Sequence, residues 1–216
     1  MMVSAENDHR RAGTIWMLDL DEPARVVKPL VPAAFRRVGP NLAPALASTM
    51  GDRDASAELL NRFASGRHCY TAWVGETLAS YSWVSFEEEY IGELNLRIKL
   101  LPGEAYIWDC ATTPAFRRNR LYSALLVYII GELRAEGFSR AWIGADLDNT
   151  ASQRGIARAG FHHVADLVLA RVLALRQVWV QGLPDVPEHV VAEARRAFLN
   201  DRDKRWLEVL TSAANP

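Results

Sequence analysis

Three arginines immediately precede a run of helix-forming residues: Arg117, Arg118 and Arg120. The run starts at Leu121 and contains no acidic side chain before Glu132. A helix N-terminus already carries unpaired N–H groups and about half a positive charge, so further cations there are unfavourable unless an anion binds. The pattern predicts a site for a polyanionic ligand, with a solvated surface cluster as the alternative.

A second segment of chemical interest starts at Asn149, which precedes a helical pattern that ends at Gly160 and Phe161. Asn at a helix start accepts a hydrogen bond from a first-turn amide, and glycine adopts the left-handed conformation that closes a helix. Ser152 follows one turn after the cap. By itself this pattern predicts no more than a capped helix over residues 149–159.

Together, the order and spacing of these segments resemble the GNAT superfamily of acyl-CoA-dependent N-acyltransferases. The first family signature has an aromatic residue and then Arg/Gln-x-x-Gly-x-Gly/Ala at a helix start. It aligns without a gap with Phe116-Arg117-Arg118-Asn119-Arg120-Leu121-Tyr122-Ser123. The second signature, Asn at a helix start with Gly-Phe at its end, aligns with residues 149–161. The resemblance covers residues 69–180, about half of the chain.

The chain departs from the family pattern at three positions. Arg120 and Tyr122 stand where the first signature has glycines, which let backbone amides approach a pyrophosphate. Arg120 therefore either adopts a conformation that favours glycine or holds the loop differently. Ile156 stands where many members have a tyrosine that protonates the leaving thiolate. These departures favour an alternative hypothesis, a catalytically degenerate module that acts by binding CoA.

The fold that the resemblance implies is an α/β domain with a mixed, mostly antiparallel central sheet. Helices flank this sheet, and two of its strands splay apart at the acyl-CoA cleft. We expect residues 1–216 to form a single GNAT-like domain, with the family core at about 69–180. Residues 1–66 would be a helical or arm-like N-terminal region, and residues 185–216 a helical C-terminal appendage.

The activity that the resemblance implies is N-acetyl transfer from acetyl-CoA to a primary amine of a small molecule or peptide, by direct attack on the thioester. The pantetheine arm would pair with backbone groups of Cys110, Ala111, Thr112 and Thr113. The pyrophosphate would bind at Arg117, Arg118, Asn119, Arg120, Leu121, Tyr122 and Ser123. Asn149 and Ser152 would form the other wall of the cofactor cleft.

Proton transfer lacks an obvious residue in this sequence. We expect Asp109, or a water that it orders, to accept the amine proton, with Tyr106 as the reserve candidate. Tyr122 and Ser152 are further hydroxyl donors close in sequence. Cys110 could act as a nucleophile, but no histidine lies within 40 residues on either flank, so a small buried thiol is the favoured interpretation.

Several elements must position these residues. Residues 69–74 and 78–86 alternate aromatic and β-branched types around Gly75, which predicts a hairpin. Further strands are predicted at 94–100, 105–113 and 141–145. Residues 14–18 are predicted to form a short strand or an ordered arm, and residues 164–180 two strands or one bent strand. Helices are predicted at 52–63, 121–135, 149–159 and 187–210, and short helices and turns in the proline-rich segment 23–44.

Composition excludes several protein classes. The chain has 216 residues, 25 basic and 26 acidic side chains and a formal net charge of −1, so we expect no nucleic-acid partner. Two cysteines without metal-ligand spacing predict neither a metal site nor a disulfide framework and favour the cytoplasm. No segment is predicted to be an export signal or to cross a membrane. Both a monomer and a homodimer are compatible with this sequence.

Overall fold

A computed structural model describes residues 9–51, 55–91, 96–172 and 175–198. Ten strands and five α-helices occur in these ranges. The strands are β1 (His9–Asp19), β2 (Ala34–Val38), β3 (His68–Val74), β4 (Thr77–Ser85), β5 (Glu88–Ile91), β6 (Leu96–Lys99), β7 (Glu104–Thr112), β8 (Arg140–Asp146), β9 (His162–Val172) and β10 (Leu175–Gly182). The helices are α1 (Ala43–Met50), α2 (Ser56–Ala64), α3 (Leu121–Ala135), α4 (Thr150–Ala159) and α5 (Glu188–Phe198).

Eight strands form one sheet in the order β10-β9-β1-β8-β7-β4-β3-β2, and β5 pairs with β6 in a separate hairpin. Within the large sheet, β7 and β8 are the parallel pair, and the other neighbouring strands run antiparallel. The predicted mixed, mostly antiparallel α/β fold is therefore confirmed, as are the hairpin β3–β4 and the helices α3 and α4.

The N-terminal region differs from the arm that the sequence suggested. The predicted strand at 14–18 extends over the whole of β1, which lies in the interior of the sheet between β8 and β9. Sequence analysis also missed β2 and β5. Part of the predicted helix at 52–63, part of the predicted strand at 94–100 and the end of the predicted helix at 187–210 lie outside the described residues.

The sheet is covered by helices on both faces because its strands alternate apolar side chains between them. On one face, α3 packs Leu125 and Ile129 into a core with Ile107 of β7 and Ile143 of β8. On the other face, α5 places Phe198 against neighbouring strand residues, Tyr106 among them. No helix in the described ranges is long and apolar enough to cross a membrane.

The two parallel strands diverge after four residue pairs. Pairing of β7 with β8 runs from Glu104 opposite Arg140 to Ile107 opposite Ile143 and then stops. Residues 108–112 of β7 continue alongside β4 alone, so their other edge has no strand partner among the described residues. This is the predicted splay, and it leaves backbone N–H and C=O groups directed into the gap.

Candidate functional site

A β-bulge marks the point where β7 leaves β8. Tyr81 of β4 lies opposite Ala111 and Trp83 opposite Trp108, so Asp109 and Cys110 together face a single β4 residue. Asp109 has φ = 42°, a left-handed conformation that costs a non-glycine residue of order 1–3 kcal/mol. The bulge changes the direction of the backbone next to the gap.

Two residues of the arginine-rich loop also have left-handed backbone conformations. Arg118 has φ = 66° and Arg120 has φ = 59°, so Arg120 adopts the conformation favoured by the glycine that it replaces. Helix α3 begins at Leu121, directly after Arg120, and no side chain caps its N-terminus. The first-turn amides and the positive end of the helix therefore point at the loop without a protein acceptor from the cap.

A cavity of about 920 Å³ lies between this loop, the bulged part of β7 and α4. Its wall includes all but two of the predicted cofactor residues, namely Cys110, Ala111, Thr112, Arg117, Arg118, Arg120, Leu121, Tyr122, Ser123, Asn149 and Ser152. Instead of lining it, Thr113 donates its N–H to the carbonyl of Ala79 (2.9 Å). Asn119 braces the loop through its side-chain amide, which contacts the carbonyls of Phe116 and Arg117.

This cavity contains more positive charge than the sequence indicated. Arg154 and Arg158 of α4 also line it, which gives five arginines and no acidic residue among the lining residues. The two lie one helical turn apart and are both exposed. Their four-residue spacing in the sequence indicates that they share one face of α4. Only the packing of α4 opposite the loop shows that this face lines the cavity. Five cations without a local carboxylate are suited to a ligand with several phosphate groups.

The opposite wall depends on the predicted cap of α4. The Oδ1 atom of Asn149 accepts a hydrogen bond from the N–H of Ser152 (3.0 Å). Gly160 ends the helix with φ = 108°, and Phe161 is buried in the core beyond it. Ile156 points into that core as well and is fully buried, so it does not line the cavity.

A second cavity of about 210 Å³ lies on the other side of the splay. It is lined by Tyr106, Trp108 and Asp109 of β7, and also by Thr14 of β1 and Phe198 of α5. The sequence did not indicate that β1 and α5 contribute here. Four residues line both cavities: Cys110, Tyr122, Asn149 and Ser152. The two cavities therefore meet at one point, next to the bulge.

The sequence model of the Acetyltransferase (GNAT) family matches residues 48–161, more than half of the chain. The chain belongs to the GNAT acetyltransferase family. The predicted resemblance is thus confirmed, and the matched region contains the bulge, the arginine loop, α3 and α4. No curated protein is similar enough in sequence to count as a relative.

Solved GNAT structures share the fold. An N-acetyltransferase from Sphaerobacter thermophilus superposes with a TM-score of 0.57 at 15% identity, over 82% of this chain and 54% of that protein. A family member from Colwellia psychrerythraea superposes with a TM-score of 0.56 at 12% identity, over 75% of this chain and 56% of that protein. A family member from Novosphingobium aromaticivorans superposes with a TM-score of 0.51 at 15% identity, over 79% of this chain and 68% of that protein. The chain thus spans little more than half the length of the first two.

Asp109 is tied to the helical layer of this GNAT fold by Arg62. The Arg62 guanidinium donates to Oδ2 of Asp109 and also pairs with Glu58 one turn earlier on α2. Its Cζ atom lies 4.6 Å from the ring centroid of Trp108 and 5.3 Å from that of Trp83. Arg62 therefore fixes the strained bulge from outside. Within the described residues, no hydrogen bond to Oδ1 of Asp109 is found, and Asp109 lines the second cavity.

Cys110 lies half-buried on the wall shared by both GNAT cavities and not deep in the core as predicted. Burial raises the pKa of its thiol to about 12. The thiolate is the nucleophilic form of cysteine, so a thiol with this pKa stays protonated and unreactive near neutral pH. The preference for a structural thiol over a nucleophile is consistent with this environment.

Proposed function

We propose that this protein transfers an acyl group, most simply acetyl, from acyl-CoA to a primary amine of a small molecule or peptide. The observation that carries the proposal is the meeting of two cavities of different character at a β-bulge. One is large and lined by five arginines, and the other is small and lined by Tyr106, Trp108 and Asp109. A polyanionic donor and an amine acceptor can approach one reaction point from opposite sides.

The larger cavity has the groups that the donor requires. The uncapped amides of α3 and the side chains of Arg117 and Arg120 would bind the pyrophosphate, while Arg154 and Arg158 offer charge for a further phosphate. The pantetheine arm would lie along the open edge of residues 108–112, where β7 has lost β8 as a partner. Backbone pairing of this kind requires no particular side chain.

The smaller cavity would receive the amine. Its neutral nitrogen attacks the thioester carbonyl, a C–N bond forms and the C–S bond breaks. A backbone N–H in the bulge would stabilise the oxyanion. Asp109, directly or through a water on Oδ1, would accept the proton that the nitrogen loses, and Tyr106 is the reserve candidate. Alignment of the reactants alone can supply about 7–11 kcal/mol of the barrier reduction.

A second candidate function is binding of CoA without turnover. The observations that favour it are the replacement of both signature glycines, by Arg120 and Tyr122, and the apolar Ile156. The left-handed conformation of Arg120 weakens this candidate, because the loop follows a glycine-like path despite the substitution. The remaining question is whether Tyr122 obstructs the reaction point or takes part in the reaction.

Release of free thiol from acetyl-CoA in the presence of an amine panel tests the function. The panel should contain α-amines, lysine-like amines and short peptides, and the affinity for CoA should be measured in parallel by titration calorimetry. We expect thiol release that depends on both the protein and one class of amine. Tight CoA binding without amine-dependent thiol release would support the binding module instead.

A further inference from the structure

The point where the two cavities meet contains few groups able to release a proton. The four residues that line both cavities are Cys110, Tyr122, Asn149 and Ser152. Asn149 is engaged as the cap of α4. The thiol of Cys110 donates a hydrogen bond to the carbonyl of Trp108 on its own strand (3.5 Å). The remaining groups are two hydroxyls, and the phenol of Tyr122 is the more acidic type.

Tyr122 is held with its hydroxyl at this meeting point. Its Oη lies 3.2 Å from Oγ of Ser152, so the two hydroxyls share a hydrogen bond across the gap between α3 and α4. The ring rests against Gly155 of α4, where a Cβ atom would lie 2.6 Å from Cδ1 of the ring. The absence of a side chain at Gly155 therefore makes the space that the ring occupies.

Resting on the proposed acyl transfer, we propose that Tyr122 is the proton donor to the leaving thiolate and that Ser152 relays its replacement proton. The amine nitrogen forms the C–N bond, and the C–S electron pair moves to sulfur. Sulfur takes the proton of the Tyr122 hydroxyl. Asp109 takes the proton that the amine loses and returns it through Ser152 to the tyrosinate, so that an amide and a free thiol leave and every group regains its starting protonation.

The surroundings of Tyr122 suit this role at neutral pH. Burial raises the pKa of its phenol well above the usual value, so the hydroxyl carries its proton before each turnover. Ile156 has its side chain in the core and cannot donate a proton. The phenol hydroxyl in the gap between α3 and α4 is therefore that of Tyr122 on α3, since Ile156 on α4 has none.

The experiment compares Tyr122→Phe with Tyr128→Phe, which removes a hydroxyl from the same helix but lies outside both cavities. Tyr122→Phe keeps the ring against Gly155 and removes only the donor. We expect kcat for thiol release to fall about 100-fold, within the range for a lost general acid, while KM and calorimetric affinity for acetyl-CoA stay unchanged. The alkaline limb of the pH dependence of kcat should disappear as well. Tyr128→Phe should match wild type.

The outcomes separate this proposal from the acyltransferase function. A wild-type protein that binds acetyl-CoA but releases no thiol with any amine contradicts the acyltransferase function and this role with it. An active wild type with an equally active Tyr122→Phe variant contradicts only the role of Tyr122. If Tyr122→Phe lowers the melting temperature markedly, Ser152→Ala replaces it as the test variant. It must then lower kcat and shift the alkaline limb, and an unaltered profile overturns the proposal.

Discussion

Tyr122 and Gly155 fit together so closely that a Cβ atom at position 155 would lie 2.6 Å from one ring carbon of Tyr122 and 2.8 Å from the next. Alanine in a helix interior normally stabilises by up to about 1 kcal/mol relative to glycine. We expect Gly155→Ala instead to displace the ring and lower thiol release. In a Tyr122→Ala background the same change should be harmless or stabilising. Equal effects in both backgrounds, measured by melting temperature and kcat, would show that the two residues are not coupled.

The arginine loop should determine CoA affinity. Arg117→Ala combined with Arg120→Ala removes two cations from the cavity wall, and we expect CoA binding to weaken at least tenfold, with a shallower dependence on salt. Arg36→Ala combined with Arg97→Ala is the control, because it removes the same charge from outside the cavity. Calorimetric affinities that are equal for the two double variants would contradict the assignment.

The cap of α4 should serve both stability and binding. Asn149→Ala removes the hydrogen bond to the N–H of Ser152, and we expect a loss of about 1 kcal/mol in the free energy of unfolding together with weaker acyl-CoA binding. Gln153→Ala removes hydrogen bonds of 2.9 and 2.8 Å at the same helix end but lies outside both cavities. If both variants lose stability and neither loses affinity, Asn149 is only a cap.

Asp109→Asn tests the proposed base. We expect kcat/KM to fall across its pH profile, whereas Glu58→Gln, which removes the other carboxylate partner of Arg62, should leave the profile unaltered. A site without a strong base should prefer α-amines, which have a pKa near 8. A lysine-like amine of pKa near 10.4 is neutral in only about one of 2,500 molecules at pH 7. An Asp109→Asn profile that overlays wild type would remove Asp109 from the mechanism.

Cys110 should react slowly with alkylating reagents although it lines an open cavity. Its pKa of about 12 in the fold exceeds the value near 8.5 of a free cysteine, so the folded state binds the proton more tightly. Its contribution to stability is complete below about pH 8.5 and is lost as the pH rises towards 12. In a Cys69→Ser background, alkylation of the folded protein at pH 8 should be far slower than in denaturant. Comparable rates would contradict the raised pKa.

Local features of the site could be predicted from the sequence, and distant contacts could not. The start of α3 at Leu121 and the cap at Asn149 depend on neighbouring residues, whose spacing is visible in the chain. The glycine-like conformation of Arg120 was one of two stated alternatives. In contrast, the approach of Arg62 to Asp109 and the presence of Arg158 in the cavity depend on how helices pack across the sheet. A pattern along one segment contains no information about that packing.

The position of β1 between β8 and β9 also affects how the protein is made. Thr14 donates a hydrogen bond to the carbonyl of Ala145, 131 residues later in the chain. During synthesis, β1 therefore emerges long before either of its partner strands exists. The apolar residues Ile15 and Met17 stay exposed to solvent until those strands are made. Contacts of such long range slow folding and expose strands to misassociation, whereas the hairpin β3–β4 can form at once. Chaperone dependence would then originate in β1, which is synthesised well before the two strands that flank it.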